Sequence, residues 1–306
     1  MKHYHINKHK FIYIFIIFLI LTTNFNFKEY KIRFVKDKTT INNKIDNPNG
    51  FVSFEDTEIK SKINYYENFL NNIKIYNHTH SYSNNIYWCW FQGLSNAPKL
   101  YQATFNSVKN NCNNHNIIII NETNLNQYVK FPNYILEKYK RKLFSSTHFS
   151  DLLRLELLIK YGGTWVDASV LITKCDDIYF NRDLFFFNLS SWFLTSEKKS
   201  PILKTTRDLL YEYWRKENYL CYYFLFHEFL MLAYKRYQND YLSMPNLSNG
   251  PEHLLHTYLV KQYNDTIFSN IIKKIFVHKL NIKITSRIKP VNDSFFYYII
   301  DKYLKI

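Results

Sequence analysis

From Ile86 onward, short apolar runs alternate with segments whose apolar residues recur at helical spacing, and this rhythm predicts an α/β chain. Strands are expected over Ile86–Phe91 and Ile117–Ile120, with strand-like runs at Leu184–Asn188 and Trp192–Leu194. Thr164 to Ile172 is rich in branched and aromatic residues and reads as one further strand. Period-two alternation then sends Asp167 and Ser169 to the same side. Helices are expected near Pro98–Lys109, over Ser150–Tyr161, from Ser200-Pro201 to about Lys216, and over Tyr219–Tyr237. The second of these helices takes Ser150 as its N-cap or starts nearer Ser145, and Gly162-Gly163 stops it. The run Cys221–Phe226 is too short to span a bilayer and is interrupted by His227 and Glu228, so it reads as buried helix.

Before Ile86 the pattern differs. Phe11 to Leu21 is apolar without a break, three lysines precede it, and no charge appears until Lys28. The uncharged span Phe11–Phe27 would reach roughly 25 Å as a helix against a bilayer core of about 30 Å. No small-residue cleavage site follows, so residues 1–27 read as an uncleaved signal-anchor and the protein as single-pass membrane. The part after the anchor would be cytosolic in a bacterium and in the Golgi or ER lumen in a eukaryote. Residues 28–84 read as a stem, with a helix between Glu55 and Ile75 and a turn at Pro48-Asn49-Gly50. Residues 85–306 read as the α/β domain.

The chemistry concentrates in one stretch. Asp151 and Arg154 share a helix face at i, i+3 spacing, and the helix is otherwise largely apolar. Asp167 sits in the strand that follows, and a charge there must be paired, hydrogen-bonded or metal-bound. Taken alone, Asp151 and Arg154 are either a salt bridge on a helix face or parts of a site, and Asp167 either caps a turn or binds a ligand.

The pattern S-D-x-x-R-x-x-x-L-x-x-x-G-G-x-W-x-D-x-[ST], running from Ser150 to Ser169, resembles the sugar-nucleotide site of glycosyltransferase family 32 and its capsular polysaccharide synthesis branch. Ile86-Tyr87-Trp88-Cys89-Trp90-Phe91-Gln92-Gly93 resembles the family's first strand and loop, Asn249-Gly250-Pro251 a late Gly-Pro loop, and Phe276–Leu280 its closing strand. The similarity extends from about Ile86 to Ile284. It implies a GT-A, Rossmann-like nucleotide-diphospho-sugar transferase fold behind the N-terminal membrane-anchor helix. It implies transfer of a hexose from a nucleotide-diphosphate sugar to a glycan or lipid-linked acceptor, with retention of configuration. Asp151 and Arg154 would contact donor sugar and diphosphate, and Asp167 would hold a divalent cation, Mn²⁺ or Mg²⁺. The family's D-x-D is here Asp167-Ala168-Ser169, and neutral Ser169 is a weak ligand for a hard cation, so His278 is the expected additional ligand. Trp90, Gln92, Gly93, Gly250 and Lys279 complete the expected donor pocket. Each has a bland counterpart: core packing for Trp88 and Trp90, an ordinary turn at Gly250, a structural strand-end role for His278.

Composition modifies this picture little. Lysine and arginine exceed acids, 40 to 25, for a net charge of +15, but the lysines are dispersed. No nucleic-acid motif accompanies them, so nucleic acid is not an expected partner. Five glycines in 306 residues make each glycine near a motif informative. The four cysteines form no C-x-x-C pair, and nothing in their spacing demands a zinc site or a disulfide. An incomplete metal motif also leaves open a pseudoenzyme that binds a sugar nucleotide or glycan without turnover.

Overall fold

Alternation along the first strand decides which layer each side chain joins. The computed structural model describes residues 56–304 except 243 and 246. In order, its main elements are α1 (Asp56–Phe69), β1 (Asn85–Cys89), α2 (Lys99–Asn111), β2 (Asn116–Ile120), α3 (Asn133–Lys140), α4 (Ser146–Tyr161), β3 (Gly163–Val166) and β4 (Val170–Ile172). There follow β5 (Leu184–Phe186), β6 (Phe193–Ser196), α5 (Pro201–Lys216), α6 (Leu225–Tyr237), α7 (Asp265–Ile272), β7 (Val277–Lys279) and α8 (Phe295–Leu304). Tyr87 and Cys89 of β1 turn into the core shared with α4, α5 and α6. Ile86 and Trp88 turn to the opposite side, where α2 packs.

The central sheet has the order β2-β1-β3-β6-β5. β2, β1 and β3 run parallel, and β6 and β5 pair antiparallel at the other end. The chain moves from β1 to β2 on one side, then crosses to β3 on the other. β1 and β3 therefore flank the point where strand order reverses, and ligands of open α/β sheets bind at the carboxyl ends of such strands. The register places Trp88 beside Val166, so the end of β1 and Asp167 lie at the same level.

The single strand expected over Thr164–Ile172 is two strands. β3 ends at Val166, residues 167–169 turn, and β4 leaves to pair antiparallel with β7 in a separate two-stranded ribbon. The Asp167 N–H donates to Trp192 O at 2.9 Å and the Val170 N–H to Asp167 O at 3.0 Å, which closes the turn. The alternation argument linking Asp167 to Ser169 fails for that reason.

The glycine stop holds. α4 ends at Tyr161, and Gly162 and Gly163 take φ of 69° and 103°, a region that side chains strongly disfavour. The helix expected from Tyr219 begins only at Leu225, and the Cys221 N–H donates instead to the Tyr213 hydroxyl at 2.9 Å. Ile59, Ile63, Tyr66 and Ile73, within the stretch read as stem, are buried in the main core.

The structure adds one bond that the sequence left open and overturns one expectation. Cys112 and Cys175 form a disulfide with Cα atoms 5.2 Å apart. A separation of 63 residues gives no sequence signal, yet closing so long a loop stabilises the fold by roughly 4 kcal/mol in the chain-entropy account. The single-pass membrane anchor, and with it the membrane as location and partner, is not supported: no helix among the described residues is long and apolar enough to cross a bilayer. The run Phe11–Phe27 lies outside the described residues.

Candidate active site

Helical spacing and the glycine stop bring α4 and β3 together with their charged groups converging. Arg154 is only 2 % exposed. Its Nη2 lies 3.2 Å from Asp151 Oδ1 and 3.4 Å from Asp167 Oδ1. Its remaining donors go to protein: Nε to Ser150 O at 3.2 Å, Nη2 to Ser150 Oγ at 3.2 Å, and Nη1 to Ser191 O. The guanidinium also lies over the rings of Trp165 and Phe226, 5.0 and 5.6 Å from their centroids. A fork this fully engaged fixes the two acids in place.

Asp167 follows directly on β3. Its Oδ1 accepts from Trp165 Nε1 at 2.7 Å, and its Oδ2 accepts from Lys279 Nζ at 2.7 Å. Lys279 comes from β7, so the ribbon delivers the second cation to the turn at the end of the central sheet. Burial raises the Asp167 carboxyl, but Lys279 first and then Arg154 outweigh it and hold the group below its usual value. Burial lowers Lys279, and the Asp167 charge opposes that. Asp151 behaves oppositely: burial raises it to about 7, Arg154 opposes the rise and the Asp167 charge adds to it.

The two acids therefore have opposite linkage to folding. A raised folded value means stability that is full below the unfolded value of 3.8 and is lost as pH rises through about 7, which is the Asp151 case. The lowered Asp167 gives stability present above 3.8 and lost as pH falls through its folded value. Asp151→Asn is expected to flatten the decline in stability between about pH 4 and 7, an effect on the order of 3 kcal/mol. Chemical denaturation midpoints across that range check it, and an unchanged slope in the variant would refute the assignment.

The remaining sequence candidates divide by position. Trp90 lies at the end of β1, half-buried, with its ring edge-on to Tyr101 at 5.5 Å. The Asp167 charge contributes to raising both Tyr101 and, from within β1, Cys89, which burial pushes up to about 12. The mouth of β1 and Asp167 are thus electrostatic neighbours. Gln92 is exposed, and Gly93 takes φ 88° in the loop that follows. Trp88, by contrast, is core, packed edge-on to Phe105. The Asn249–Gly250 loop reaches the site through Ser190–Trp192: Asn249 Nδ2 donates to Ser190 Oγ at 2.8 Å, and His253 meets the Trp192 ring. Lys279 Nζ lies 5.8 Å from that same ring.

The expected cation set of Asp167, Ser169 and His278 does not fit. Both Asp167 oxygens already accept from N–H donors, and two cations flank the group. The Ser169 carbonyl accepts from Leu280 N–H at 2.9 Å, which holds it in the ribbon. His278 is wholly buried, and strand alternation turns it to the face opposite Lys279. Burial lowers its imidazole to about 3, and a hydrogen bond with the Ile275 backbone opposes that only weakly.

Sequence reasoning undervalued two groups here. Ser190, Ser191 and Trp192 meet the centre partly through backbone carbonyls, which leave no trace in residue identity. His148 and His227 sit beside Arg154, and burial lowers them to about 4 and about 3, so both are neutral. A cavity of about 390 Å³ lined by Tyr76, Tyr134, Asp208 and Tyr211 involves none of these residues.

Among solved structures, the chain is similar to one titled "PaToxG Glycosyltransferase", with 16% identity and a TM-score of 0.36 over 60% of this chain and 78% of that one. A search of curated proteins finds no match. The family model for capsular polysaccharide synthesis proteins matches residues 40–299, and the chain belongs to that family.

Proposed function

We propose that this protein is a glycosyltransferase that moves a hexose from a nucleotide-diphosphate sugar to a glycan or lipid-linked saccharide, with retention of anomeric configuration. The carrying observation is the ionic centre Asp151–Arg154–Asp167–Lys279 at the reversal point of strand order. In this reading the acceptor hydroxyl oxygen bonds to the sugar C1 on the face the diphosphate leaves, the C1–O bond to the diphosphate breaks with its electron pair on the phosphate oxygen, and the hydroxyl proton passes to that oxygen. Lys279, with a side chain 20% exposed, offers the diphosphate its positive charge. Arg154 is a positioning residue, since its donors are spent on protein. Asp151 titrates near neutrality, so it can donate or accept a hydrogen bond at a donor-sugar hydroxyl. Asp167 sets the place and charge of Lys279. Trp90, Gln92, Gly93 and Gly250 form the walls for the nucleotide.

One observation favours the second reading, a sugar-nucleotide binder without turnover: Ser169 stands where a second acid would help hold the diphosphate. A thermal-shift screen of the full chain against nucleotide-diphosphate sugars, followed by donor hydrolysis and transfer assays, separates the readings. Stabilisation by one donor together with sugar release supports transfer. Stabilisation without release supports the binder, and no stabilisation by any donor would remove both.

A further inference from the structure

On the β5–β6 side of the fold, far along the chain from the ionic centre, two histidines and three acids meet in an arrangement that family membership does not account for. His78 and His80 alternate on the segment that leads into β1. Glu197, immediately after β6, is completely buried, and among the described residues no lysine or arginine forms an ion pair with it. Its Oε1 lies 2.6 Å from His78 Nδ1, while its Oε2 accepts from the backbone N–H groups of Thr79 and His80 at 2.8 and 2.5 Å. The two imidazoles stack, with centroids 5.4 Å apart and planes 11° from parallel. One ligand atom from each of His78, His80 and Glu197 can be chosen so that all three lie within 4.8 Å of one another.

The outer contacts are the telling part. His78 Nε2 lies 3.3 Å from Asp240 Oδ2, and His80 Nδ1 lies 3.2 Å from the Asp183 carboxylate. His78 thus holds both nitrogens on carboxylates, Nδ1 on Glu197 and Nε2 on Asp240, and His80 holds one, so that the outer acids Asp240 and Asp183 each fix one ring nitrogen. That is the arrangement by which metal-binding histidines fix their tautomer and present the other nitrogen as a lone pair. Two stacked rings around one carboxylate would repel if both were protonated. A divalent cation shared by their lone pairs and Glu197 removes that conflict. We infer that His78 Nδ1, His80 Nε2 and Glu197 Oε1 bind Zn²⁺ or a cation of similar character. Imidazole nitrogens with one carboxylate suit zinc and disfavour Mg²⁺ or Ca²⁺. Zinc bonds of about 2.0–2.1 Å require the His78–Glu197 contact to open to about 3.3 Å, a side-chain rotation. A fourth position is left for water. The ion would clamp the segment before β1 to the sheet edge, reinforcing the hydrogen bond from Lys198 N–H to Ser81 O at 2.8 Å. This inference is independent of the transfer reaction.

The test uses the full chain, stripped with chelator and titrated with zinc chloride. His80→Asn is the chosen variant: the side chain is 66% exposed, and φ at this residue is 47°, which Asn tolerates well. We expect one zinc equivalent in the unmodified chain. Its affinity should fall at least about 10–100-fold in His80→Asn and be unchanged in Asp167→Asn. Equal zinc uptake by the unmodified chain and His80→Asn would overturn the site, as would no uptake by either. Should His80→Asn fail to fold, Co²⁺ bound to the unmodified chain decides. Paramagnetically shifted proton signals from two imidazoles support the site, and their absence refutes it.

Discussion

Asp167→Asn is expected to reduce transfer from the stabilising donor on the order of 10³-fold, the scale seen when a fixed electrostatic group is removed from an active site. The asparagine keeps the shape and can still accept from Trp165 Nε1, but it cannot pair with Lys279. Part of any loss could come from stability, because Lys279 and Arg154 would then share a partly buried site with one acid. The companion variant separates the two effects. Removing one member of a buried ion pair is costly, whereas removing both is often near neutral. The double variant Asp167→Asn/Lys279→Met should therefore recover much of the lost stability and none of the lost transfer. Recovery of transfer along with stability would reduce Asp167 to a structural residue and leave the proposed mechanism without its centre.

Gly163→Ala is expected to cost about 3 kcal/mol or more. An added Cβ would stand 2.4 Å from the Asn85 carbonyl oxygen, at a φ of 103°. That oxygen belongs to β1, which pairs with β3, so neither side can yield without opening the sheet. Gly93 supplies the control. Its φ is 88° and its ψ 150°, backbone that side chains rarely adopt, but a Cβ there meets nothing within 4 Å, so Gly93→Ala should cost only that strain, about 2 kcal/mol. Denaturation midpoints of the two variants measure the difference. Equal losses would show that backbone conformation, not the close approach to β1, dictates glycine at residue 163.

The parts of the site that were legible in the sequence rest on local geometry. Asp151 and Arg154 are three residues apart on one helix, and the helix ends where two glycines permit a left-handed turn. The position of Asp167 beside them follows from chain continuity. What sequence could not show is the change of sheet at residues 167–169. The side chains of Val166 and Val170 suit either one long strand or two short ones, and the choice is made by Trp192 and β7, far along the chain. The same distance hid the Cys112–Cys175 bond. His278 and Lys279 were both expected at the site, and strand alternation keeps only Lys279 there and buries His278 on the other face. The proposed cation ligands His78, His80 and Glu197 were not legible because the two histidines meet the acid only across more than a hundred residues of chain.

The Asp167–Lys279 pair spans 112 residues. During synthesis Asp167 leaves the ribosome soon after Arg154 but long before Lys279 exists. The growing polypeptide carries that acid with Arg154 beside it and its second cation still unmade. A chain cut before residue 277 would thus lack the partner that balances this buried acid, so the centre cannot be completed until the ribbon strand is made.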